Sequence, residues 1–396
     1  MSRPMAVSRA LCAVVAMSGL VLACSPAEPP APPSSAAPSS VVTQHKGEVP
    51  AAPPPPACGD AEAMLAAVST RDKLAQLLMV GVSNAADARS VVDNHHVGGV
   101  MIGSWTDLSM LTDGSLTEIA ASAGPLPLAV SVDEEGGRVS RLAPLIGTQP
   151  SARVLAQTQT PEQVYEIART RGQAMRNLGI TVDFAPVVDV SDAADSTVIG
   201  DRSFGSDPAT VTDYAGAYAR GLRDAGVLPV LKHFPGHGRG SGDSHTGSVT
   251  SPPIAELQEV DLVPYRTLAG QAPVGVMVGH LQVPGLTGSD PASLSPAVYG
   301  LLRSGGYGGP PFNGPVFTDD LSGMQAISNQ FGVPEAVLRG LQAGADVALW
   351  VSSGEVPSVL DRLEKAVDAG ELSMSGVDAA VLRIAGFKGP SPRCGG

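Results

Sequence analysis

Leu228-Pro229-Val230-Leu231-Lys232-His233 is a short apolar run ending in two polar residues, and Phe234-Pro235-Gly236-His237-Gly238-Arg239-Gly240-Ser241-Gly242-Asp243-Ser244-His245 follows it directly. The run has the length and character of a strand buried on both faces. The glycines and the proline after it forbid a helix and dictate a long loop. Seven further runs share the pattern, at residues 77–82, 97–102, 126–132, 180–190, 274–281, 315–318 and 345–351. Amphipathic stretches lie between them, at 161–178, 208–225, 254–268 and 333–341 among others. Pro161 and Pro208 suit a first helical turn, with Thr160 and Asp207 as caps. Eight strand–helix alternations predict an α/β chain folded as a single (β/α)8 TIM barrel. An open, doubly wound sheet is the alternative.

The ends read differently. Arg3 and Arg9 precede an apolar segment too short to remain as a membrane span, so residues 1–23 read as an export signal. Val21-Leu22-Ala23-Cys24 resembles a bacterial lipobox, which makes Cys24 the expected lipidation site. It implies an exported protein anchored by lipid at the outer face of the cell membrane. The alternative is ordinary secretion with cleavage nearby. Residues 24–57 are rich in Pro, Ala and Ser and lack the bulky apolar side chains of a core, so they read as a disordered tether. Residues 58–396 are left for the barrel. Cys58 and Cys394 stand at its two ends. A closed barrel brings its ends together and an exported protein can keep a disulfide, so a Cys58–Cys394 bridge is expected, with two free thiols as the alternative.

Charge removes one class of partner. The chain carries 25 basic and 38 acidic residues, a net −13. Loss of residues 1–23 removes two arginines and no acid, leaving 23 against 38, or −15. No basic run is present, which argues against nucleic acid. A monomer is expected.

The polar residues gather where strands end. Asp133 and Glu134 follow the third run, Asp183 and Asp189 lie in the fourth, Lys232 and His233 close the fifth, His280 nears the end of the sixth, and Asp319 follows the seventh. In a barrel these ends share one face, and that face carries the chemistry. The loop 234–245 leaves several readings open. Its three histidines with Asp243 could hold a metal. Its glycines could cradle phosphate, although the Gly-Lys-Ser/Thr ending is missing. Asp243-Ser244-His245 are too close in sequence for a serine triad. A loop without function is the remaining possibility.

Lys232-His233-Phe234-Pro235-Gly236-His237-Gly238 with Asp243-Ser244-His245 resembles the signature of family 3 glycoside hydrolases, in the β-N-acetylglucosaminidase branch. Asp133-Glu134-Glu135-Gly136-Gly137-Arg138-Val139 with Arg141, Phe184 to Val190, Ile199 to Phe204, and Phe317-Thr318-Asp319-Asp320-Leu321-Ser322 resemble the family's other segments in order and spacing. The likeness spans about residues 70 to 350. It implies retaining, exo-acting release of terminal N-acetylglucosamine from peptidoglycan-derived fragments through a covalent glycosyl-enzyme. Asp319 matches the nucleophile, His245 the acid/base and Asp243 its partner; Asp133, Arg141, Arg202, Lys232 and His233 match the sugar-binding positions. Imidazole, with a pKa of about 6.5, can both give and take a proton near neutrality. The resemblance implies no cofactor and no metal. His237 and His280 read as scaffolding, and Asp320 is expected to point away. Phosphorolysis, a β-glucosidase and a lipid-anchored sugar-binding protein are the alternatives. Two positions depart from the family: Glu134 stands for the usual Gln, which puts the charge near the sugar in question, and Gly323 intervenes before Met324.

Overall fold

The apolar runs become strands because each is buried on both faces, and together they form one parallel sheet that curves back on itself. The computed structural model describes residues 61–389; Cys24, Cys58, Cys394, the export segment and the tether lie outside the described residues. The eight strands are β1 (Leu78–Val82), β2 (Gly99–Ile102), β3 (Ala129–Val132), β4 (Val182–Asp183), β5 (Leu228–Phe234), β6 (Gly275–Val278), β7 (Val316–Thr318) and β8 (Ala348–Trp350). Each pairs in parallel with its sequence neighbour, and β1 pairs with β8 in the register Leu78–Ala348. A Phe317–Val347 bridge closes the ring between β7 and β8, supported by Val347 N donating to Val316 O (3.1 Å) and Thr318 N to Val347 O (3.0 Å). The result is the expected (β/α)8 barrel. Its strands are buried throughout, each large apolar side chain contributing about 1.5–3 kcal/mol.

The helices follow their local signals. Pro161–Asn177 starts with a capping box in which Thr160 and Gln163 satisfy each other's backbone N–H. Pro208–Asp224 is capped by Asp207, whose carboxylate accepts from Thr210 N at 2.9 Å. Two expectations need correcting. The helix at 254–268 is two helices, Ile254–Glu259 and Val263–Leu268. Pro264 is the reason: inside one continuous helix it would lack an N–H and clash with the carbonyl of residue 260. The fourth run is a ladder only at Val182–Asp183. Pro186 has no N–H to donate, so the ladder there is irregular: Ala185 O still accepts from Val230 N at 2.9 Å, and a parallel bridge forms again at Val187–Lys232, where Val188 N donates to Lys232 O at 2.8 Å.

Candidate active site

One cavity of about 470 Å³ opens at the C-terminal ends of the strands. It gathers all eight residues singled out for chemistry: Asp133 beyond β3, Arg141 after the hairpin that follows, Arg202 in the loop after β4, Lys232 and His233 on β5, Asp243 and His245 in its loop, and Asp319 beyond β7. Positions some 190 residues apart thus face one space, because a barrel brings every strand end to one mouth.

One side of the cavity is a cluster of alternating charge. Lys232 Nζ lies 2.6 Å from Asp133 and 2.7 Å from Glu135. Arg202 holds the same Glu135 through both carboxylate oxygens, each at 2.8 Å. Burial alone would push the Glu135 carboxyl up, but Arg202 and Lys232 overcome it and hold it far below the ordinary range. Burial pulls Lys232 down, and Asp133 and Glu135 more than restore it, so its charge is secure. Asp133 keeps about a fifth of its side-chain surface exposed, toward the cavity. Arg141 lines the cavity and Arg138 braces the loop that carries Arg202, donating to the carbonyls of Thr197, Val198 and Ile199.

Asp189 lies beneath this cluster. It accepts from His233 Nδ1 at 2.7 Å and from the backbone N–H of His237 at 2.6 Å. Held so, His233 turns its Nε2 toward Arg202, 3.4 Å away. Glu135 and Asp189 were not assigned a role from sequence. Glu135 was legible: alternation along Asp133, Glu134, Glu135 puts the first and third on one face and the second on the other. Glu134 accordingly lies outside the cavity. It is fully buried against Arg171 (2.5 Å) on Pro161–Asn177 and accepts from Leu142 N at 2.7 Å. The departure at Glu134 therefore leaves the charge in the cavity unchanged, since Arg171 neutralises it beyond the cavity wall. Asp183 is also withdrawn. It accepts from Glu134 N, and burial pushes its carboxyl well up. The expectation that every polar strand end faces the mouth fails for these two acids, and Asp189 and His280 likewise do not line the cavity but hold residues that do.

Asp319 stays ionised. Burial would raise its carboxyl, but the imidazoles of His280 and His233, the N–H of Asp320 and the charge of Lys232 hold it down at about 2. Asp320 lines the same cavity, yet its carboxylate is occupied by Ser322 N, Ser322 Oγ and Gly323 N at 2.8–2.9 Å. His280 steadies this corner by bonding Ser293 Oγ and the Asp320 carbonyl.

The long loop holds the dyad. One oxygen of Asp243 accepts from both the backbone N–H of His245 (2.9 Å) and its ring Nδ1 (2.7 Å). That fixes the proton on Nδ1 and frees Nε2 for proton exchange. Slight burial pushes the Asp243 carboxyl up, and the two His245 donors pull it below its usual range. The loop is tied to the Asp319 segment: Ala326 N donates to Ser244 O (3.2 Å) and Gln325 N to His245 O (3.4 Å). His237, expected to be scaffolding, does support the loop through Ser244 Oγ at 3.1 Å, and it also lines the cavity. Two of the loop glycines, Gly236 and Gly238, are required by close packing. A Cβ on Gly238 would lie 2.1 Å from Val190 O, and one on Gly236, at φ 136°, 2.5 Å from Asp261 Cβ.

Residues 69–387 match the glycosyl hydrolase family 3 N terminal domain. The chain is 67% identical over 393 residues to the β-hexosaminidase LpqI of Mycobacterium tuberculosis, covering 99% of this chain and all of that one. The solved M. tuberculosis LpqI structure superposes with a TM-score of 0.85 at 72% identity, over 86% of this chain and 100% of that chain. A family 3 glycosyl hydrolase from Mycobacterium smegmatis gives 0.82 at 75% identity, over 83% and 99%. A family 3 β-N-acetylglucosaminidase from a Paenibacillus species gives 0.76 at 34% identity, over 81% and 62%. On these matches, and with a barrel to carry them, this chain belongs to glycosyl hydrolase family 3.

Proposed function

We propose that the chain is a retaining, exo-acting β-N-acetylglucosaminidase that releases terminal N-acetylglucosamine from peptidoglycan-derived fragments. One observation carries this reading. A carboxylate held ionised, Asp319, shares a single cavity with a carboxylate-oriented imidazole, His245, and with a cluster of fixed charges suited to sugar hydroxyls. The names borne by LpqI and the Paenibacillus enzyme support the substrate class.

The steps follow from the groups. Asp319 attacks the anomeric carbon while His245 gives its Nε2 proton to the leaving oxygen, forming a glycosyl ester and a free alcohol. Water then attacks the same anomeric carbon and passes a proton to His245, and the bond from that carbon to the Asp319 oxygen breaks, which restores Asp319 as carboxylate. Asp243 stabilises the imidazolium that opens the cycle and is re-formed at its end, and keeps the ring aimed. Two displacements at one carbon retain its configuration. Asp133, accepting, and Lys232, Arg202 and Arg141, donating, would hold the sugar.

Product analysis tests the reading. A β-N-acetylglucosaminide is expected to yield free N-acetylglucosamine at the same rate in phosphate and in an inert buffer, and faster than a β-glucoside. Preference for the glucoside would break the substrate assignment, and sugar 1-phosphate would turn hydrolysis into phosphorolysis. His245→Ala is expected to slow glycosides with poor leaving groups by about 10²–10⁴-fold and aryl glycosides far less. Equal losses on both would remove His245 from the acid role.

A further inference from the structure

The cavity has two unlike sides. The polar side is built from β3, β4 and β5. The other side, from β2, β7 and β8, carries Asp319 and Asp320 and is otherwise lined by Met101, Trp105, Met324, Leu349 and Val351. Trp105 differs from the chain's other tryptophan. Trp350 is fully buried on β8, whereas Trp105 is 44% exposed at the cavity rim. An exposed indole beside a sugar site invites an explanation, because exposing so large an apolar surface has no benefit for folding.

Its mounting is rigid. Trp105 sits in a turn from Gly103 to Thr106 closed by Thr106 N donating to Gly103 O at 3.2 Å. The buried Thr106 hydroxyl accepts from Gly103 N (3.0 Å) and donates to Val82 O of β1 (2.6 Å), pinning the turn to the barrel. The indole lies flat on Gly103: a Cβ there would be 2.3–2.5 Å from its ring carbons. Only glycine permits that contact, so one ring face is seated on the backbone and the other is available.

We infer that Trp105 is the stacking platform of a second subsite, which receives the sugar ring on the leaving side of the scissile bond. A pyranose presents an apolar face of C–H groups, and a fixed indole is complementary to it. The inference deepens the proposed activity and rests on it for its catalytic test. The ligand class is then a β-linked disaccharide or a longer fragment, rather than any β-N-acetylglucosaminide. Trp105 acts through binding, so its loss should appear mainly in KM.

Two substrates separate the subsites: the β-1,4-linked disaccharide of N-acetylglucosamine, and methyl β-N-acetylglucosaminide, whose leaving group has no ring. Trp105→Ala is expected to lower kcat/KM for the disaccharide by about tenfold, mostly through KM, and to leave the methyl glycoside within about twofold of wild type. Trp105→Phe should recover most of the loss. An equal fall on both substrates, or none on either, overturns the subsite. If the unaltered chain cleaves neither, the activity reading has failed, and binding decides the subsite instead. In Asp319→Ala the disaccharide should shield Trp105 fluorescence from acrylamide, and N-acetylglucosamine alone should not. Absence of shielding by the disaccharide contradicts the inference.

Discussion

Asp319→Ala is expected to abolish turnover, with a loss on the order of 10⁴-fold or more, and to leave the fold intact by circular dichroism. The size follows from the site having no substitute. Asp320 is adjacent, but three donors hold its carboxylate, and both its burial and the charge of Asp319 push its pKa up. Glu135 is bound by Arg202 and Lys232. On the proposed mechanism, removing Asp319 deletes the covalent step, while the His245–Asp243 pair survives to assist a small external nucleophile. Added azide should therefore restore some cleavage of an activated glycoside and give the α-configured azide. A variant that keeps more than about a hundredth of wild-type activity without rescue would place the nucleophile elsewhere.

The second large effect concerns the fold. Arg171→Met is expected to destabilise the protein by about 3–5 kcal/mol, seen as a lower melting temperature or urea midpoint. Arg171 reaches Glu134, Ser140 Oγ and the Gly147 carbonyl from one helix. Glu134 is fully buried, so losing its partner would leave a carboxylate charged and alone, or force it to take a proton. Glu134→Gln with Arg171→Met together should cost much less than Arg171→Met alone, because the pair is removed as a unit. Additive losses would show that the pair is not the source of the effect. The Glu134–Gly136 strand carries Glu135, so activity should fall with stability in the single variant.

Most of the barrel was legible because a strand buried on both faces must be apolar along its whole length, and eight such runs have few ways to pack. The exceptions are local. Residues 180–190 are apolar enough for one long strand, but Pro186 breaks the ladder, and apolarity does not report hydrogen bonding. Residues 254–268 hold a helical period across Pro264, and the proline wins. At the site, the residues that share the cavity are legible because they sit in short, dense motifs. Glu135 was passed over beside two other acids, although strand alternation separates its face from that of Glu134. Asp189 and Arg171 act through partners 44 and 37 residues away, respectively, and no local pattern announces such a contact. Trp105 lies outside every motif, and only its exposure at the rim reveals it. Two of the loop glycines, Gly238 and Gly236, answer to close neighbours, Val190 and Asp261.

The Lys232–His245 segment is thus half of a machine. On the proposed mechanism its base, paired with Asp133 and Glu135, would hold the sugar, and its tip, tied by backbone bonds to the segment that follows Asp319, would move the proton. The central claim is that Asp319 forms the covalent bond. Treating the protein with a 2-fluoro sugar that traps the glycosyl-enzyme, then mapping the labelled peptide by mass spectrometry, tests it most directly. A single label on Asp319 is the predicted result; a label on Asp320, on Glu135 or on any other carboxylate would contradict it.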